Sequence, residues 1–269
     1  MADAPLATPR PSLLVGSVHV HSSYSHDGCD SLRRIRTWAE RAGLRFVAMT
    51  DHAEDFDASR FGEYTAECAA LSDGAVSIIP GLEFRFPRHR GLHLLACGLA
   101  GWCRPGTIEA YAREIPDRSR LTILAHPLLS SYQVPVEVRD CIDAIEVWNA
   151  AYNTRYLPDP RAIRLLHAVR TARPAVVGIA GLDQHDAGND RRTRVVLTDN
   201  MDLADPLLAI RGGRFFNRGT TMTFGPTADL SPGGQLTLSV ARGVLDRVER
   251  AQEALVHAWR RARARRPET

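Results

Sequence analysis

The chain carries 10 histidines and 31 acidic residues in 269 positions, and a subset recurs at spacings suited to holding metal ions. The run Gly16-Ser17-Val18-His19-Val20-His21-Ser22-Ser23-Tyr24-Ser25-His26-Asp27-Gly28 begins apolar, alternates from Val18 to His21, then breaks into small polar residues. Successive side chains of a strand point to opposite faces, so His19 and His21 are expected on one face, about 6–7 Å apart, where both imidazoles can close on one ion. The device repeats along the chain. His52, His93, His126 and His185 stand at the ends of apolar runs or in the turns beside them, and Asp27, Glu83 and Asp183 lie in equivalent places. Asp183 and His185 again differ by two positions, whereas Asp51 and His52 are adjacent and would diverge. Only one of that pair should reach a metal, and His52 is the choice, with Asp51 left to orient it or a water molecule. These nine donors are nitrogen and oxygen only. An ion takes about four to six ligands, so nine donors plus water suggest two or three ions, and imidazole with carboxylate suits Zn, Mn or Fe.

Such donors need strands that end at one rim. Apolar segments at Leu13–Val18, Leu44–Met49, Val76–Ile79 with Gly81–Phe84, His93–Cys97, Leu121–Ala125, Ile142–Trp148 and Ala175–Ala180 read as seven strands. Between them the spacing predicts helices over 31–42, 58–72, 107–115 and from Asp159-Pro160 to about 172. Alternating strands and helices imply parallel βαβ units, hence an α/β layer or barrel with its site at the C-terminal strand ends. Beyond 190 the pattern thins: an apolar strand at 194–197, irregular hairpins over 213–240, and an Arg-rich helix over 243–265 with Val244, Leu245, Val248, Ala251, Leu255 and Trp259 on one face. Residues 1–11 read as a flexible Pro-rich lead-in and 12–269 as a single domain, with a motif-bearing core at 14–186 and a C-terminal extension at 187–269.

Composition narrows the classes. With 44% apolar and 24% charged residues the chain is an ordinary globular protein. No apolar run approaches the ~20 residues of a membrane span, and residues 1–11 lack the apolar stretch of a signal peptide, so a cytoplasmic location is expected. Five cysteines without CxxC spacing point to reduced thiols. All 34 basic residues are arginine, which excludes a Walker-type phosphate loop and Schiff-base chemistry. The net charge of +3 is no nucleic-acid footprint by itself.

HVHSSYSHDG, MTDH, GLEF, HLLACGL, AHP and GLDQH resemble, in that order, the motif series of the polymerase-and-histidinol-phosphatase (PHP) superfamily of metal-dependent phosphoesterases. The resemblance spans about residues 14–186. It implies a distorted (β/α)7 barrel, similar to a TIM barrel, with a trinuclear centre at the C-terminal rim of its strands. Carried over by position, His19, His21, Glu83 and Asp183 would hold the first ion, Glu83 with His93 and His126 the second, and Asp27, His52 and His185 the third. His26 competes with Asp27 for its place. The implied reaction is hydrolysis of a phosphate ester by a metal-bound hydroxide, with Glu83, Asp183, Asp51 and Arg85 as catalytic candidates. Phosphate could be gripped by arginines after the Glu83 strand (Arg85, Arg88, Arg90) or after His185 (Arg191, Arg192, Arg194), Arg85 being the best single choice. Glu146-Val147-Trp148-Asn149 resembles a stretch lining the family's pocket rim, and equally reads as a core strand with a polar edge; His89, His167 and His257 read as structural.

The expected substrate is a small phosphorylated metabolite or nucleotide. The alternatives are a 5′ exonuclease or phosphodiesterase on nucleic acid, a non-catalytic PHP scaffold, and hydrolysis of a carbon ester or carbamate, which an Arg-poor pocket would favour. A nuclease should show a basic groove bearing aromatic residues, and none is clear in the sequence. No membrane partner is expected.

Overall fold

The computed structural model describes residues 13–153, 156–198 and 205–264, with side chains in the final helix described to residue 248. The lead-in expected at 1–11 lies outside the described residues. Strand β1 (Leu14–Val20) pairs in parallel with β2 (Phe46–Met49), which pairs in parallel with β4 (Ser77–Ile79). On its other side β1 runs antiparallel to β10 (Arg194–Leu197), followed by β11 (Phe215–Arg218) and β12 (Thr223–Phe224). A second sheet has the order β3 (Asp51–His52), β5 (Gly81–Arg85), β6 (His93–Cys97), β7 (Leu121–Ala125), β8 (Ala144–Asn149) and β9 (Val177–Gly181).

The two six-stranded sheets exchange chain twice. Single residues, Thr50 and Pro80, separate β2 from β3 and β4 from β5, and the parallel pairing Ala48↔Ile79 resumes as Asp51↔Leu82 and His52↔Glu83. Past β9 the chain bonds back to β1: Leu182 N–H donates to Val18 O at 2.9 Å, and His21 N–H to Gln184 O at 2.9 Å. Val18, Phe46 and Val195 of the first sheet share one apolar core with Leu95, Ile123, Ala144 and Ile179 of the second. Burying each large aliphatic side chain contributes roughly 1.5–3 kcal/mol.

The helices form where capping and periodicity agree. Ser31 Oγ accepts Arg34 N–H at the start of α1 (Leu32–Arg41), whose Leu32, Ile35, Trp38 and Ala39 are buried. Asp57 caps α2 (Ala58–Leu71). Thr107 caps α3 (Ile108–Glu114), and short α4 (Val136–Cys141) precedes β8. Asp159 caps α5 (Pro160–Arg170), with Pro160 in the first turn. Helix α6 (Pro206–Arg211) lies between β10 and β11.

Two expectations change. The strands are not uniformly parallel: β6 runs antiparallel to both β5 and β7. The seven residues from Phe86 to Leu92 are too few for a parallel crossover, which needs a dozen or more. Because β6 is reversed, its first residue, His93, opposes Arg85 at the last position of β5. The last helix, α7 (Pro232–Ala264), also begins within the region expected to be hairpins. Pro232 is suited to a first helical turn, and Ser231 Oγ accepts Gly234 N–H at 3.1 Å. Gly233, Gly234 and Thr237 have low helix propensity and mask that start. The chain divides into compact units at Met1–Ala228 and Asp229–Thr269, the second containing α7. Of the apolar face expected on α7, Ala251, Leu255 and Trp259 lie outside the described side chains. No helix among the described residues is long and apolar enough to cross a membrane.

Candidate metal centre

His19, His126 and Asp183 have left-handed backbone, with φ of 68°, 23° and 51°. For residues other than glycine such conformations cost of order 1–3 kcal/mol each and persist where the surroundings enforce them. His19 lies at the register shift between Val18 and Val20, a bulge that re-aims its side chain. His19 and His21 therefore meet, with ring centroids 5.2 Å apart, but not by the simple alternation of a regular strand. Asp183 and His185 likewise lie beyond the end of β9, in a turn.

The buried Glu83 carboxylate is the hub. Oε1 is 2.5 Å from His93 Nδ1 and 3.3 Å from His126 Nε2, while Oε2 is 3.4 Å from His19 Nε2, His21 Nε2 and His52 Nδ1. Asp183 Oδ1 lies 3.3 Å from His19 Nε2 and 3.4 Å from His21 Nε2. On the more open side, Asp27 Oδ2 is 3.0 Å from His52 Nε2 and 3.3 Å from His185 Nε2. Four sets of donor atoms are each mutually within 4.8 Å: His19, His21 and Glu83; His19, His126 and Asp183; Glu83, His93 and His126; and His21, Asp27, His52 and His185.

This geometry fits metal ions. His21 Nε2 and His52 Nδ1 are buried and make no hydrogen bond, although each is 3.4 Å from Glu83 Oε2. A separation of about 3.4 Å is what two donors have when they share one tetrahedral ion with bonds of about 2.1 Å. Buried imidazole nitrogens without partners are otherwise costly.

The protonation states are split by environment. Burial pushes His52 down to about 4, the His21 and Arg85 charges adding to this and Glu83 opposing it. Burial, helped by His21, also lowers His185. Burial alone would lower His19, but Asp183 and Glu146 carry it well above the ordinary imidazole value. Burial would raise Glu83, yet hydrogen bonds from His126, His19 and His93 hold it well below the usual carboxylate range.

Glu146, which the sequence left between pocket rim and core, is completely enclosed by the site's supports. Its Oε1 accepts from His19 Nδ1 at 2.7 Å, and its Oε2 accepts from His126 N–H at 2.7 Å and Asn149 Nδ2 at 2.9 Å. Asn149 Nδ2 is also 3.2 Å from Asp183 Oδ2. Glu146 thus fixes the tautomer of His19 and points Nε2 at Glu83 and Asp183. Glu146→Gln should lower divalent-metal affinity by about 10–100-fold without unfolding the chain, checked by metal titration beside a circular dichroism spectrum. A Cβ on Gly181 would fall 1.7 Å from Glu146 Oε1, so Gly181→Ala should reproduce the loss in the same titration.

Other expectations are redirected. Asp51 does not orient His52 directly. Its carboxylate accepts from Ser22 N–H at 2.7 Å, Ser22 Oγ and Ser25 Oγ, and Ser25 Oγ in turn accepts His52 N–H at 2.8 Å. Asp51 is absent from the four donor sets; the alternation that aims His52 into the site turns Asp51 to the loop behind it, where its carboxylate braces residues 22–25. His26 is solvent-facing and bonded to Asp55 at 2.8 Å, leaving Asp27 as the residue beside His52 and His185.

Arg85 does reach the site, with Nη2 2.6 Å from His52 Nε2 and Nη1 3.3 Å from Glu54 Oε1. Arg88 and Arg90 are exposed on the turn between β5 and β6. The second arginine group is directed elsewhere: Arg191 donates to Ala150 O at 2.5 Å, and buried Arg194 pairs with Asp190. His167 bonds Thr227 O at 3.1 Å and His89 lies on the β5–β6 turn, both away from the donor sets. Sequence reasoning missed Tyr152, whose ring centroid is 4.9 Å from that of His126; its position three residues past the polar strand end at Asn149 was the available signal.

The PHP domain family model matches residues 17–139. That segment holds His19, His21, Asp27, His52, Glu83, His93 and His126, and stops before Glu146, Asp183 and His185. Among solved structures, one from Bifidobacterium adolescentis described as a "putative metal-dependent phosphoesterase" is 17% identical, with a TM-score of 0.46 over 73% of this chain and 96% of the other. No curated protein matches the sequence.

Proposed function

We propose that this chain, whose residues 17–139 match the PHP domain family, is a metal-dependent phosphoesterase acting on a small phosphorylated metabolite or nucleotide. The observation that carries the proposal is the convergence of five imidazoles on the buried Glu83 and of two of them on Asp183 as well, with His21 Nε2 buried 3.4 Å from Glu83 Oε2 and without a hydrogen bond. We assign His19, His21, Glu83 and Asp183 to one ion, Glu83, His93 and His126 to a second, and Asp27, His52 and His185 to a third, with Mn, Zn or Fe suited to the donors. Divalent ions in such a site supply Lewis acidity toward phosphoryl oxygens and lower the pKa of water.

The chain's own residues do the rest. Glu146 and Asn149 hold His19, His126 and Asp183 in place. Arg85, at the exposed edge beside His52, is positioned to grip a non-bridging phosphoryl oxygen. Asp27 and His185, both partly exposed, mark the side from which substrate enters. The same reading makes the fold a distorted barrel. Its seven staves are β1, β2 with β3, β4 with β5, β6, β7, β8 and β9, closed by the hydrogen bonds between the turn after β9 and the end of β1.

The test is hydrolysis of a panel of phosphate mono- and diesters by protein loaded with Mn, Zn or Fe. Turnover that appears on loading supports the proposal, and a fully loaded protein that cleaves none of them sinks it, leaving a non-catalytic module. Arg85→Ala should raise KM for a monoester about tenfold with metal content unchanged, the loss expected for one charge-assisted contact.

A further inference from the structure

A second concave site shares no residue with the metal centre. Arg34, Trp38 and Arg41 of α1, Arg192, Arg194 and Arg218 line one cavity of about 890 Å³, within the size range of ligand pockets. The five arginines come from three separate stretches of chain and meet a single lining carboxylate, Asp190.

Their charges are unevenly answered. Asp190 pairs with Arg194, whose guanidinium lies 5.6 Å from the Trp38 ring centroid, and accepts a hydrogen bond from Trp38 Nε1 at 3.3 Å. Arg34 Nε is 2.8 Å from the buried Asp30. Arg41, Arg192 and Arg218 are exposed and have no acidic partner among the described residues. Arg192 also holds left-handed backbone, φ 59°, fixed by its own N–H donating to Asp190 Oδ1 at 2.8 Å. A braced cluster of Arg194, Asp190 and Trp38 beside three guanidiniums that have no acidic partner among the described residues favours an anion, since like charges held together repel until a counter-charge is bound. A single phosphate would leave much of the cavity empty and part of the charge unanswered.

We propose that this pocket binds an anion carrying several phosphates in series, which guanidinium forks recognise bidentately. The phosphate chain of a free nucleotide and the consecutive phosphates of a single nucleic-acid strand share that chemistry. The sequence scatters these arginines over nearly two hundred positions, so only the folded chain reveals the basic, aromatic-lined site.

The test is calorimetric titration of inorganic tripolyphosphate into the full chain, dialysed against chelator so that the probe cannot act by sequestering metal. Saturable binding is expected, weakened about tenfold by each of Arg41→Gln, Arg192→Gln and Arg218→Gln, and unchanged in His93→Ala. The three arginines are exposed, so these variants leave the core intact, and glutamine at 192 keeps the same backbone demand. A parallel titration with an eight-nucleotide single strand identifies the source: tighter binding than tripolyphosphate, with the same arginine dependence, indicates a strand, and weaker binding a free nucleotide. No saturable binding, equal affinity in all three arginine variants, or loss in His93→Ala alone would overturn the proposal.

Discussion

Glu83→Gln should strip the protein of its metals and reduce phosphoester turnover by at least about a thousandfold, roughly 4 kcal/mol of transition-state stabilisation. The side chain keeps its size, so packing is preserved and the change is one of charge and ligand strength. Among the described residues, Glu83 is the one carboxylate within 3.4 Å of five imidazoles, those of His19, His21, His52, His93 and His126. Its amide replacement removes an anionic donor shared by two of the assigned ions. Elemental analysis of the purified variant beside its kcat on a monoester checks this: loss of both is expected, and retained turnover would remove Glu83 from the centre.

Asp183→Asn should cause a loss of the same kind, about 100- to 1,000-fold in turnover, together with reduced metal content. Asp183 Oδ1 faces His19 and His21 at 3.3 and 3.4 Å, and burial is overcome by the His19 and His21 charges to hold its carboxyl far below the usual range. Asparagine would offer a neutral donor to an ion and place a second amide against Asn149, which already donates to Oδ2. The position matters further because Asp183 lies beyond the segment that matches the PHP domain. A variant that kept full metal content and activity would confine the working site to residues before 140.

The donor types and the strand ends that carry them were readable because each candidate sits where an apolar run stops. His93 was readable for the same reason, at the beginning of its run rather than the end; the reversal of β6 was not, because the general alternation of strands and helices pointed to parallel units and hid the short 86–92 connection. The means of convergence was not readable. The bulge at His19 and the left-handed turns at His126 and Asp183 depend on contacts between the two sheets, such as Glu146 with His19, and nothing local to those residues announces them. Glu146 itself looks like any acid in a strand until burial shows what it bonds. The partners of Asp51 were not readable, because adjacency to His52 says which residue points away but not what it meets there, and it meets Ser22 and Ser25. The arginines after His185 could not be placed from their spacing, since Arg191 caps backbone carbonyls while Arg192 and Arg194 turn toward α1.

The most direct test is to titrate metal-free protein with Mn²⁺ while measuring bound ions per chain and hydrolysis of a phosphate monoester in the same samples. Uptake of about two to three ions per chain, with turnover rising as they bind and both lost in Glu83→Gln, is the predicted result. A wild-type chain that binds no divalent ion, or that hydrolyses the ester equally well without one, would contradict it.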